Sequence, residues 1–264
     1  MSDYQSVLVE CDGPIGLLTL NKAARHNAFD EDLIAEITLG LLELEEAAQV
    51  RVVVLSAIGK SFCAGGDLNW MQRAAEYSPD ENRRDAEQLS LMLATLNELS
   101  KPTIARVQGP AYGGGVGLIA ACDIAVATYE ATFALSEVKL GLVPAVISPY
   151  VLAAIGERHC RRYMLTAERF SAAEAYRIGL VHELVPDEAQ LDSVINELVD
   201  SLVENGPGAQ TECKQLIRII TGQPIDDETR AETVERLTRV RASVEGREGL
   251  AAFLGKRPPN WLAD

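Results

Sequence analysis

Two short apolar runs each deliver the chain into a glycine-bearing segment, and few folds accommodate that arrangement twice. Arg51-Val52-Val53-Val54-Leu55-Ser56 leads to Phe62-Cys63-Ala64-Gly65-Gly66-Asp67-Leu68, and Thr103-Ile104-Ala105-Arg106-Val107 leads to Gly113-Gly114-Gly115. β-Branched runs of this length read as buried strands. Residues 115–122 predict a short buried helix and 124–127 the next strand. Strands alternating with helices predict an α/β fold with a largely parallel sheet. Ligands bind outside the carboxyl ends of such strands, so the two glycine segments can converge on one crevice.

The rest of the chain fits around that core. Residues 5–10 and 15–20 predict two strands joined by the turn Asp12-Gly13-Pro14. Asp30 is placed to cap a helix, with Glu31 and Asp32 in its first turn and Leu33, Ile37, Leu41 and Leu44 as its apolar stripe. Residues 85–100 also read as helix. Beyond Leu165 the pattern turns helical: Ser171 caps 172–178, Pro186 precedes another helix, and 231–244 and 248–254 follow. A short strand near 182–185 is the exception. This divides the chain into an α/β core at 1–200 and a helical region at 201–264 for oligomerisation. The 264 residues suffice for one large domain with such an appendage.

A net charge of −15 argues against nucleic acid or an anionic membrane as the main partner, although a local basic patch could bind phosphates. No apolar run approaches a membrane span, and the start Met1-Ser2-Asp3-Tyr4-Gln5 lacks the pattern of a signal peptide. Five scattered cysteines without a CxxC pair fit reduced thiols in a cytoplasmic protein. Cys122, in an apolar stretch, reads as a buried packing residue. His26, His159 and His182 show no metal-ligand spacing, so no metal and no separate cofactor are expected.

Gly113-Gly114-Gly115-Val116-Gly117 lacks the spacing of a dinucleotide loop, and no acidic residue follows at the required distance. No Gly-Lys-Ser/Thr follows either, which excludes a P-loop. Two readings remain: close packing of helix on strand, or a helix N-terminus whose free N–H groups face an anion. Glu137, in Phe133-Ala134-Leu135-Ser136-Glu137, also has two readings. It pairs with Lys139 or Arg169 at the surface, or it stands in the crevice as an acid/base with a raised pKa.

Several segments together resemble the crotonase superfamily, also called enoyl-CoA hydratase/isomerase. They are Arg25-His26-Asn27-Ala28-Phe29, Phe62 to Leu68, Gly113-Gly114-Gly115, Cys122-Asp123-Ile124 and Glu137-Val138-Lys139-Leu140-Gly141. The C-terminal stretch with Glu248-Gly249, Ala252-Phe253 and Lys256-Arg257-Pro258 completes the set. The resemblance covers essentially the whole chain. It implies a spiral of ββα units with a helical C-terminal region, a trimer or hexamer, and an acyl-CoA thioester as ligand. By resemblance, the Gly66 and Gly114 amides form the oxyanion hole and Glu137 is catalytic. Ala28, Ala64, Asp67 and Leu68 match the lining of the CoA moiety, and Lys22 and Arg25 are candidates for its phosphates. Phe253 and Lys256 match residues that reach the CoA of a neighbouring subunit.

The chain departs from the common pattern of that family at two places. Gly117 stands where ordinary hydratases carry a first glutamate, and Pro144-Ala145-Val146-Ile147-Ser148-Pro149 replaces a glycine-rich turn after the Glu137 strand. Both departures resemble bacterial hydratases of branched glutaconyl thioesters. Their substrates are 3-methylglutaconyl-CoA in leucine degradation or isohexenylglutaconyl-CoA in terpene degradation. The resemblance therefore implies a hydratase, with a Δ3-Δ2 enoyl-CoA isomerase as the alternative and an acyl-CoA binding protein as a further one. A carboxylate on the substrate could hold the attacking water. Arg73, Arg158 and His159 are candidates to bind that carboxylate, and Trp70, Met71, Tyr112, Ile147 and Tyr150 to set the length of the acyl pocket.

Overall fold

The two apolar runs form neighbouring parallel strands at the centre of a six-stranded sheet. The computed structural model describes residues 4–262, so the reading of Met1–Asp3 as free of a leader lies outside the described residues. Strands β1 (Val7–Asp12) and β2 (Ile15–Leu20) make an antiparallel hairpin. Helix α1 (Glu31–Glu46) follows, then β3 (Val52–Ala57), helices α2 (Leu68–Ala74) and α3 (Pro79–Glu98), and β4 (Thr103–Val107). Next come β5 (Ala111–Tyr112), α4 (Gly114–Ala121), β6 (Ile124–Thr128) and β7 (Thr132–Ala134). The chain continues through α5 (Ser148–Thr166), β8 (Phe170–Ser171), α6 (Ala172–Ile178), β9 (Glu183–Val185) and α7 (Glu188–Val203). It ends in α8 (Pro207–Ile220), α9 (Asp227–Ala242) and α10 (Val244–Gly255).

The large sheet has the order β1-β2-β3-β4-β6-β9, parallel from β2 onward. Its central strands read as continuous apolar runs because both faces are covered. Side chains alternate between the faces. Val53, Leu55, Ala105 and Val107 join the main core with Leu33, Ile37, Leu41 and Leu44 of α1. Val52, Val54, Ile104 and Val126 meet Leu191, Ile195 and Val199 of α7 on the other face. The α1 stripe is wholly buried, so truncating Leu41 to Ala is expected to cost about 2–5 kcal/mol. Helix α7 runs three residues past position 200, and its buried face belongs to the core.

Local chemistry sets the helix starts. Asp30 accepts from the Leu33 amide as expected. Helix α3 begins at Pro79, earlier than residue 85, because Ser78 and Glu81 form a reciprocal capping box with Pro at the first position. A second, three-stranded sheet, β5-β7-β8, was not anticipated. Its strands are two or three residues long, too short for a periodic signal. Glu137 does not lie on a strand: β7 ends at Ala134, and Glu137 opens a 3-10 turn that runs to Leu140.

The helical C-terminal region is tied to the core by Lys214 of α8, whose ammonium lies 2.6 Å from the Asp123 carboxylate. Within it, the buried Arg236 guanidinium bonds Glu212 and Glu232. Ile217, Val234, Leu237, Leu250, Phe253 and Leu254 leave this region exposed and apolar.

Candidate active site

Two isolated parallel bridges place the glycine segments side by side. Cys63 pairs with Ala111, and Phe29 pairs with Gly66. Gly66 and Gly114 each lie three residues beyond the Cys63–Ala111 pair, so they sit at matching points of adjacent segments. In the second bridge the Phe29 amide donates to Gly65 O at 2.7 Å, and the Asp67 amide donates to Phe29 O at 2.8 Å. Both bonds use the residues flanking Gly66, which turns the Gly66 N–H away from the bridge. Gly114 is the first residue of α4, where helical amides have no partner within the helix. Among the described residues, neither the Gly66 nor the Gly114 amide donates to a protein acceptor. Both residues are partly exposed, while Gly65, Gly113 and Gly115 around them are buried.

The N-terminus of α4 touches a different segment at each successive residue. A Cβ on Gly113 would lie 2.9 Å from Glu137 Oε1, one on Gly114 2.5 Å from the Phe29 ring, and one on Gly115 2.6 Å from Cys63 O. Gly113 also has φ +50°, and its amide donates to Ala134 O at 2.9 Å, which anchors the end of β7 just before Glu137. The close-packing reading of this segment therefore holds, and the Gly114 amide at its head has no protein acceptor among the described residues.

Glu137 is half-buried and makes no ion pair among the described residues. Its Oε2 is buried without a hydrogen-bond partner. Removal from water raises its pKa above the ordinary carboxylate value, because no nearby cation offsets the cost of the charge. The surface-pair reading fails: Arg169 instead lies over the Tyr112 ring, 5.2 Å from its centre. A carboxylate of raised pKa thus stands against the N-terminus of α4, next to the free amide of Gly114.

The loop before α1 is fixed from several sides. The buried Asn27 accepts from the Lys22 amide at 2.8 Å and donates to Ile58 O and Ser61 O, each at 2.9 Å. Lys22 bonds Asp30, and Arg25 pairs with Asp67 at 3.1 Å. Burial pushes the Asp67 carboxyl up, but the Trp70 and Asn69 amides together with Arg25 outweigh it and hold its pKa below the usual value. These contacts gather Lys22, Arg25, Ala28, Ala64 and Asp67 along one edge of the glycine segments; Leu68 follows as the exposed first residue of α2. Phe253 and Lys256 are not brought there within one chain: α10 packs chiefly on α8 and α9, and the Phe253 ring is 81% exposed.

Trp70 and Met71 wall the Gly66 side; a Cβ on Gly66 would lie 3.3 Å from each. The Trp70 indole donates to Asp85 at 3.0 Å, tying α2 to α3. Ile147 is buried against Gly117, and Tyr150 is half-buried nearby on α5. None of the candidates for a distal carboxylate is shown in the crevice. Arg73 forks onto Glu31, His159 bonds Ile155 O, and Arg158 is exposed. All five cysteines are free thiols, and burial pushes Cys63 up to about 12. Among the described residues no cluster could hold a metal, and no helix is long and apolar enough to cross a membrane.

Comparison with known proteins matches residues 10–264 to the family described as enoyl-CoA hydratase/isomerase. The crystal structure of an enoyl-CoA hydratase from Shewanella pealeana superposes with a TM-score of 0.96 at 42% identity, covering 98% of this chain and 97% of that one. The short-chain-enoyl-CoA hydratase of Clostridium acetobutylicum is 31% identical over 97% of both chains. A peroxisomal Δ(3,5)-Δ(2,4)-dienoyl-CoA isomerase of Arabidopsis thaliana is 31% identical, covering 82% of this chain and 83% of its own. The α/β architecture with its parallel sheet is that of the crotonase fold.

Proposed function

The chain belongs to the enoyl-CoA hydratase/isomerase family, and from that premise we propose that it adds water to an α,β-unsaturated acyl-CoA. The observation that carries this reading is the buried, unpartnered carboxylate oxygen of Glu137, whose other oxygen packs against Gly113 at the head of α4, next to the free amide of Gly114. In the proposed reaction the thioester oxygen accepts from both amides. Water attacks the β carbon, the double-bond electrons move onto that oxygen, and negative charge grows where the donors point. Glu137 takes the proton released by the water and delivers it to the α carbon as the carbonyl re-forms. Hydroxyl and hydrogen are added, and the carboxylate is regenerated. Donors that bind the transition state more tightly than the ground state raise the rate, and each is worth about 3–4 kcal/mol.

The proposed acyl group is a branched glutaconyl, as in 3-methylglutaconyl-CoA or isohexenylglutaconyl-CoA, which places the enzyme in leucine or terpene degradation. Its own carboxylate takes the second polar role at the attacking water, since position 117 is glycine. The CoA moiety runs past Ala28, Ala64, Asp67 and Leu68, with Lys22 and Arg25 at its phosphates. Phe253 and Lys256 of a neighbouring subunit close over it in a cytoplasmic homotrimer or homohexamer. The exposed apolar side chains of the C-terminal helices support that assembly.

A Δ3-Δ2 isomerase is the second reading, favoured by the single carboxylate of the site, since one base suffices to move a proton between α and γ carbons. Incubating 2-enoyl- and 3-enoyl-CoA in heavy-oxygen water separates them. Incorporation of the label supports hydration, and double-bond movement without it supports isomerisation. Binding of acyl-CoA without turnover of any thioester would favour a binding protein instead.

A further inference from the structure

Resting on that reading and deepening it, we propose that Ile147 is the specificity-determining residue that holds this site to one carboxylate. By filling the space in front of Gly117, it commits the enzyme to acyl groups that carry a carboxylate of their own. Gly117 lies three residues after Gly114 on α4, so the two share one side of the helix. Three residues advance about 4.5 Å along the axis, within reach of the first carbons of an acyl chain whose oxygen sits at the Gly114 amide.

A Cβ at position 117 would lie 2.3 Å from Ile147 Cγ2 and 2.8 Å from Ile147 Cβ. The obstruction is therefore the branch point of the side chain, next to its own backbone. A β-branched residue has little χ1 freedom, and Ile147 is only 3% exposed, so it cannot swing aside. It is also the residue from which α5 departs, so its main chain is held by the helix. Ile147 fits only over glycine, and position 117 accepts only glycine under Ile147.

The same two segments thus meet twice. At one contact Glu137 meets Gly113, and one turn further Ile147 meets Gly117. Across that turn the wall changes from a carboxylate to hydrocarbon. A water attacking the β carbon needs a second acceptor to hold it, besides Glu137, which draws off its proton. The hydrocarbon wall offers none, and a carboxylate on the acyl chain does.

The test uses the intact enzyme and four proteins: wild type, Gly117→Glu, Ile147→Gly and the double variant. Melting temperature and turnover of 3-methylglutaconyl-CoA and of crotonyl-CoA, which lacks a carboxylate, are measured for each. Gly117→Glu alone is expected to melt lower and gain nothing on crotonyl-CoA. The double variant is expected to recover most of that loss. It should also hydrate crotonyl-CoA at least tenfold faster than Ile147→Gly. A milder cycle with Gly117→Ala and Ile147→Gly reads the same pairing if the larger changes prevent folding: Ile147→Gly removes both obstructing atoms and should restore what Gly117→Ala loses. The proposal is overturned by additive losses in that cycle, by no gain in the double variant over Ile147→Gly, or by equal wild-type turnover of the two thioesters. Wild-type hydration of any enoyl-CoA reads the functional proposal by itself, and the melting cycle reads the Ile147–Gly117 pairing by itself.

Discussion

The carboxylate of Glu137 occupies the side of Gly113 where any other residue would carry its Cβ, with Oε1 2.9 Å from that point. Gly113 in turn has φ +50°, a region that side chains other than Gly, Asn and Asp rarely enter. The position of the proposed base is thus set by the absence of an atom. Gly113→Ala is expected to displace the carboxylate and to lose at least a hundredfold in kcat. Backbone strain of about 1–3 kcal/mol adds to this. Steady-state kinetics and thermal unfolding of the variant check both effects; wild-type kcat would contradict the assignment.

Glu137→Gln keeps the shape and removes the base. A fall in kcat of about 10²–10⁴ is expected, with KM little changed. Its effect on stability has the opposite sign. Burial raises the carboxyl pKa in the folded state, so the folded protein binds the proton more tightly than the unfolded chain. The wild type therefore loses stability as pH rises from the ordinary carboxylate value of 4.5 through the raised folded value. Glu137→Gln is expected to melt higher than wild type at neutral pH, and the difference should vanish below pH 4.5. Parallel melting curves with pH would contradict the burial of this charge.

Arg25 pairs with a carboxylate that caps α2, so it is held at the edge of the glycine segments rather than free in solvent. If it meets a CoA phosphate, Arg25→Ala raises KM for an acyl-CoA several-fold, and added salt weakens the wild type in the same way. The corresponding N-acetylcysteamine thioester, which has no phosphates, should show no such change. Equal effects on both substrates would point to disruption of Asp67 instead.

Asn27 combines φ +52° with three hydrogen bonds from a fully buried side chain. Alanine there leaves the Ile58 and Ser61 carbonyls and the Lys22 amide without these partners and sits badly in left-handed backbone. Each unsatisfied buried group costs about 1–3 kcal/mol, so Asn27→Ala is expected to be among the most destabilising substitutions in the loop. Chemical denaturation measures it; a change within error of zero would mean that the loop rearranges freely.

Much of the core was legible in sequence because its signals are local. The continuous apolar runs at 52–57 and 103–107, the stripe from Leu33 to Leu44 and the cap at Asp30 each need only a few neighbouring residues. The strands β5, β7 and β8 were not legible, since two- or three-residue strands exist only through their partners. Helices α2, α5 and α8 were also missed. α5 is interrupted at Gly156, where φ is +73°, and α8 has no buried residue to mark its face.

The sequence by itself determined the parallel α/β core, the presence of two glycine segments and the one glutamate that follows them. Only the tertiary structure decided that Gly66 and Gly114 lie at matching points of paired segments, and that Glu137 has no ion-pair partner among the described residues. It alone showed that Ile147 closes the space over Gly117. The physical reason is range. Periodicity and capping act over a few residues of chain, whereas a free amide, a raised pKa and a filled cavity are properties of groups that only folding brings together.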